Sequence, residues 1–180
     1  MSSALLVIDV QAGLFNPVPR PALADEVLAR INALISCAHM NRAAVIFVQH
    51  ESAAGELQYG SEGWALASEL SIGKTDHTVR KTTPDSFLRT ELSELLAALD
   101  VSRLVVCGYA TEFCVDTTVR RAAALGHDVI LAADAHTTHD KAHASAAQIR
   151  MHHNATLPSI SSFGPKICAV ASAEIDFSAL

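Results

Sequence analysis

The sequence predicts an α/β fold: a three-layer, doubly wound, mostly parallel sheet, carried by one domain over residues 1–180. Three observations lead there. Short continuous apolar runs, such as Ala4-Leu5-Leu6-Val7-Ile8, read as strands buried on both faces. Segments with apolar residues at helical spacing alternate with those runs in strand–helix order. Half of the 180 residues are hydrophobic but only 5% are aromatic, a mix dominated by Ala, Leu and Val that suits helices packed on a buried parallel sheet.

Taken in order, the first strand is 4–8, with Asp9 directly at its carboxyl end. A carboxylate there is either a turn residue or a group with a buried partner, because desolvation without one is costly. Residues 11–21 form a loop with Leu14, Phe15 and three prolines. Residues 22–40 carry Leu23, Val27, Ile31, Leu34 and Ile35 on one face of a helix. A second strand, 43–48, ends in Gln49-His50-Glu51. Residues 52–73 are loop-like, with Gly55, Gly60 and Gly63 ahead of the closing Gly73 and the single tryptophan, Trp64; a long irregular stretch of this kind is commonly functional.

A short edge strand over 75–81 ends at Lys81, which on its own reads as solvated surface. Asp85 or Ser86 can cap a helix through Leu99, with Phe87, Leu88, Leu92, Leu95, Leu96 and Leu99 inward. The run 104–107 is a strand that Gly108 ends, and 113–125 is a helix stopped by Gly126. Cys114 falls in the strand-to-helix turn or the first helical turn, where unpaired N–H groups and the helix dipole favour a thiolate. The alternative is an inert buried thiol. A strand over 128–132 followed by Asp134, a helix over 141–154 and a final strand over 166–170 complete the chain.

The formal charge of −6 argues against a nucleic-acid partner. No apolar stretch reaches membrane-spanning length. The N-terminus runs directly into a strand pattern, without a basic region or cleavage site, and the four cysteines are scattered; both features suit a reducing cytoplasm. His139 and His143 sit four apart with His136 and Asp140 nearby. No Cys or acidic pair completes a ligand set there, so no metal is expected.

In a doubly wound sheet, ligands bind beyond the carboxyl ends of the strands near the switch point. Asp9, Lys81 and the Cys114 turn all lie at such ends. Together they form a usable chemical set. Asp9 can take the Cys114 proton, Lys81 can stabilise the thiolate, and backbone N–H groups of the 110–114 turn can hold an oxyanion.

The stretches Leu6-Val7-Ile8-Asp9-Val10-Gln11, Phe47-Val48-Gln49-His50, Lys81 with Phe87, Gly108-Tyr109-Ala110-Thr111-Glu112-Phe113-Cys114-Val115 with Thr118, and Asp134-Ala135 resemble the isochorismatase-like cysteine hydrolase superfamily. The resemblance implies a catalytic triad of Asp9, Lys81 and Cys114. It also implies a cis peptide at Tyr109–Ala110 that brings the Ala110 N–H beside that of Cys114 as the oxyanion hole. Its nicotinamidase branch carries an Asp-x-His metal motif after the second strand. Here that stretch is Gln49-His50-Glu51-Ser52, so neither zinc nor another cofactor is expected. Branches that hydrolyse the vinyl ether of isochorismate commonly lack the cysteine, so Cys114 points towards amide-type C–N cleavage. Leu14, Phe15, His50, Trp64, Tyr109 and Phe113 are candidate walls for a small-molecule substrate, by loop position and by resemblance. The resemblance further implies a homo-oligomer, a dimer or tetramer. A vinyl-ether hydrolase on the same fold and a non-catalytic small-molecule binder are the competing readings.

Overall fold

A computed structural model describes residues 2–178. Its centre is a six-stranded, all-parallel sheet in the order β3-β2-β1-β4-β5-β6. In chain order the elements are β1 (Ser2–Ile8), α1 (Ala12–Phe15), α2 (Ala24–Met40), β2 (Ala44–His50), β3 (His77–Lys81), α3 (Leu92–Ala98), β4 (Val101–Tyr109), α4 (Asp116–Ala124), β5 (Asp128–Thr137), α5 (Ala146–Thr156) and β6 (Ile167–Val170). The chain moves outward from β1 through β2 to β3, then returns to β4 on the other side of β1. The switch point therefore lies between β1 and β4.

The apolar runs explain the layering. Leu5 and Val7 face one side of β1 and pack with Val27, Ile31, Leu34 and Ile35 of α2. Leu6 and Ile8 face the other side, with Leu92 and Leu96 of α3 and Val119 and Ala122 of α4. Burying a Leu or Ile side chain fully stabilises by about 1.5–3 kcal/mol, so a strand apolar at every position holds both layers.

Several boundaries differ from the sequence expectation. The helix expected from residue 85 starts only at Leu92. Arg89 has φ +59°, outside the right-handed helical region, and Asp85 Oδ1 accepts the Phe87 N–H in a local turn. Leu88, expected inward, is consequently exposed. Gly108 does not end its strand. β4 runs on to Tyr109, with Gly108 at φ +117° in a place where a Cβ would overlap the Ile8 carbonyl oxygen. β5 continues past Ala132 to Thr137, so Asp134 lies within it, beyond a register shift against β4. α5 begins at Ala146, set by a capping box in which Ser145 and Gln148 satisfy each other's backbone N–H groups. The loop after β1 contains the short helix α1. Among the described residues, no helix is long and apolar enough to cross a membrane.

Candidate active site

Asp9 follows β1 directly and has φ +52°, a left-handed conformation that Asp tolerates better than most residues. Its N–H donates to Val48 O at 2.8 Å, which keeps the turn against β2. Lys81 ends β3, two strands away, in register with His50 of β2. Its long stem lets it reach across the end of β2, and its ammonium has no exposed surface.

All three Lys81 donors have partners. Nζ lies 2.7 Å from Asp9 Oδ2, 3.3 Å from Cys114 Sγ and 3.4 Å from His50 Nδ1. An ammonium can only donate, so His50 Nδ1 is an acceptor and the ring is neutral. Burial, and then the Lys81 charge, hold the His50 pKa below its ordinary value. Asp9 Oδ1, the other carboxylate oxygen, is buried without a hydrogen-bond partner.

Cys114 sits in a π-helical turn, Thr111–Val115, that joins β4 to α4. The Tyr109–Ala110 peptide before it is cis. The Ala110 carbonyl, which an α-helical turn would offer to the Cys114 N–H, accepts instead from the Phe113 and Val115 N–H groups, each at 3.1 Å. A widened turn of this kind is frequent at functional sites.

The thiol departs from the expectation of a depressed pKa. It is pushed up to about 12, first by burial and then by the Asp9 carboxylate, with Lys81 opposing. Position at a helix start favours the thiolate, but here desolvation and a neighbouring anion outweigh it. Cys114 therefore rests as a thiol whose proton must be taken as it reacts. Cys107, buried in β4, has its pKa raised by desolvation alone and donates weakly to Leu6 O.

The six candidate wall residues differ in exposure. Leu14, His50, Trp64 and Tyr109 are half-buried and Phe113 is exposed. Phe15 has no exposed surface, which corrects its placement as a wall: it lies in the core and meets the Tyr109 ring edge-on at 6.0 Å. Tyr109 Oη bonds His139 Nδ1 at 3.0 Å, and His139 Nε2 bonds Pro19 O at 3.0 Å, fixing the phenol to the loop after α1. Its pKa is pushed up to about 12, chiefly by burial. Among the described residues, no group of three His, Cys, Asp or Glu side chains is placed to hold a metal.

Sequence reasoning missed the polar residues that hold these parts. Gln11 is fully buried, donates to His50 O and Trp64 O, and accepts from the His50 N–H. Gln49 also donates to Trp64 O. Buried Thr111 and His136 form a hydrogen-bonded chain with half-buried Asn154 at the cysteine turn. The available signal was polar residues interrupting or ending apolar runs.

The domain model for isochorismatase matches residues 3–161. A streptothricin hydrolase from Streptomyces noursei is 40% identical over 138 residues, covering 76% of this chain and 50% of its own length. The chain thus spans about half the length of the streptothricin hydrolases it matches. Nicotinamidase 3 from Arabidopsis thaliana is 28% identical, covering 76% of this chain and 73% of the relative. The crystal structure of an isochorismatase family protein superposes with a TM-score of 0.85 at 37% identity, covering 94% of this chain and 98% of the other. With most of its length matched by the domain model, and relatives that are named hydrolases and amidases, the chain belongs to the isochorismatase family.

Proposed function

We propose that the site hydrolyses an amide-type C–N bond of a small molecule through a thioester on Cys114. The observation that carries this reading is the contact geometry of Lys81, whose buried ammonium touches both the Asp9 carboxylate and the Cys114 sulfur. Asp9 keeps one buried oxygen without a partner, and that oxygen is the natural proton acceptor.

In the first half-reaction, Cys114 Sγ bonds to the carbonyl carbon as its proton passes to Asp9. The carbonyl electrons move to oxygen, and the N–H groups of Ala110 and Cys114 stabilise that oxyanion. The oxyanion collapses, the C–N bond breaks, and Asp9 returns the proton to the departing nitrogen. In the second half-reaction, water gives a proton to Asp9 and attacks the thioester. The carboxylic acid leaves and the proton returns to sulfur. Lys81 keeps its proton throughout and balances the negative charge that passes between Asp9 and Cys114. The elevated thiol pKa fits this order, because proton removal is coupled to attack. Leu14, His50, Trp64, Tyr109 and Phe113 wall the substrate, a small and mostly uncharged amide.

The test is ammonia release from a panel of primary amides, with mass detection of an acyl adduct on Cys114. Wild type should release ammonia. Cys114→Ala and Asp9→Asn should each lower turnover by at least about 10³-fold, the scale of removing a member of a catalytic unit. Release that survives Cys114→Ala would overturn the mechanism. Amides that bind without turnover would favour a binding protein.

A further inference from the structure

Behind the cysteine turn lies a hydrogen-bond chain that the proposed chemistry does not use. Asn154, near the end of α5, donates Nδ2–H to Ala133 O at 2.8 Å, which turns its Oδ1 towards His136. Oδ1 accepts from His136 Nε2 at 2.9 Å. The ring proton is therefore on Nε2, and Nδ1 carries the lone pair. Nδ1 accepts the Thr111 hydroxyl proton at 2.8 Å. The direction of every bond follows from the Asn154 amide. His136 and Thr111 have no exposed surface. Thr111 opens the π turn that holds Cys114 and is bonded directly to Ala110.

Apolar residues of the same shape would fill this space at similar stability, since a net hydrogen bond between neutral groups is worth only about 1 kcal/mol. What three polar groups supply instead is direction: one hydroxyl, at one place in the turn. We infer that Asn154 and His136 are positioning residues, which fix Thr111 and through it keep Cys114 Sγ within reach of Lys81 Nζ. The inference rests on the reading of Cys114 as the nucleophile.

The direction of the relay requires a neutral His136: an imidazolium would donate Nδ1–H, and the Thr111 hydroxyl would have to turn and accept it, withdrawing its own proton from the ring. Burial first, with Arg150 and His153 in support, holds the His136 pKa at about 4, while Asn154 and Asp134 pull the other way. The wild-type relay is therefore intact around neutral pH.

The test follows alkylation of Cys114 by iodoacetamide in the full chain, read by intact mass and peptide mapping from about pH 5.5 to about pH 8.5. Thr111→Val removes the hydroxyl at constant shape. Its Cys114 should alkylate at least about fivefold more slowly, because sulfur drifting from Lys81 loses thiolate stabilisation. Thr111→Ser should stay within about twofold of wild type, since it keeps the donor. Asn154→Asp places a carboxylate on Nε2 and lifts the His136 pKa towards neutrality. Its rate should match wild type at high pH and fall away from it as the pH drops through about 6–7. This variant also decides the matter if Thr111→Val fails to fold.

A purely structural role would lower the melting temperature and leave these profiles parallel. Unchanged or faster alkylation in Thr111→Val, a flat ratio between Asn154→Asp and wild type, or a wild-type Cys114 that never alkylates would each overturn the inference. Turnover plays no part in the readout. Failure of wild type to release ammonia would thus overturn the proposed reaction, while the alkylation profiles still decide the relay.

Discussion

The Lys81 ammonium sits 2.7 Å from Asp9 Oδ2 with its side chain fully buried, so a charge pair closes the carboxyl ends of β1 and β3 across β2. Breaking such a pair from one side leaves the other charge uncompensated, a cost of about 3–5 kcal/mol. Lys81→Met should therefore lose that much in urea denaturation, together with all turnover. Asp9→Asn combined with Lys81→Met should recover more than half of the lost stability and none of the activity. A double variant no more stable than Lys81→Met would show that packing of the lysine stem, and not charge, is what the site depends on.

Gly108 sets the spacing between the two strands that carry Asp9 and the cysteine turn. It combines φ +117° with a position where a Cβ would overlap Ile8 O. Gly126, with φ +99°, has nothing within 4 Å of the equivalent point. Gly126→Ala should cost about 1–2 kcal/mol, the conformational penalty alone. Gly108→Ala adds a backbone clash and should cost more than about 4 kcal/mol or prevent folding, which thermal melts of the two variants will separate. Equal melting temperatures would mean that β1 and β4 can part without loss.

This contrast shows what the sequence could and could not reveal. The runs at β1 and β2 and the Ile31–Leu34–Ile35 face of α2 were legible because periodicity and burial agree there. The strand-end positions of Asp9, Lys81 and Cys114 followed from the same pattern. The start of α3 was not legible, since Phe87 and Leu88 have helical spacing while Arg89 takes a left-handed conformation. The Ser145 capping box is written in the sequence as Ser-x-x-Gln, and it marks a later start for α5 than the expected residue 141. The raised thiol pKa was not legible, because a helix start is a local feature. The burial that outweighs it comes from strands distant in sequence.

Gln11 makes a prediction about the loop over the site. Its side chain donates to His50 O and Trp64 O and accepts from His50 N, tying the end of β2 to the long segment after it. Gln11→Leu keeps the volume and strands the buried His50 N–H, at a cost of about 1–3 kcal/mol. Hydrogen exchange at residues 50 and 64–66 should accelerate, while the core of β1 keeps its protection. Unchanged exchange at Trp64 would mean that Gln49, which donates to the same carbonyl, is sufficient to hold the loop.

Stability should fall on acidification, with His136 as a principal cause. Its pKa is about 4 in the folded chain, against an ordinary 6.5. Between those values the unfolded chain binds a proton that the folded chain refuses, so stability is present above the window and lost as pH falls through it. At 1.36 kcal/mol per unit, the full window amounts to roughly 3 kcal/mol. His50 and His127, also held below their ordinary values by burial, act in the same direction. The thiols bound the other side: Cys107 and Cys114 stay protonated when folded, so ionisation of the unfolded chain lowers stability above about pH 9. Urea midpoints should hold near neutrality and drop towards about pH 4.5. In His136→Gln the drop should be visibly smaller, whatever the variant's stability at neutral pH. A drop equal to that of wild type would assign the acid sensitivity to the carboxylates instead.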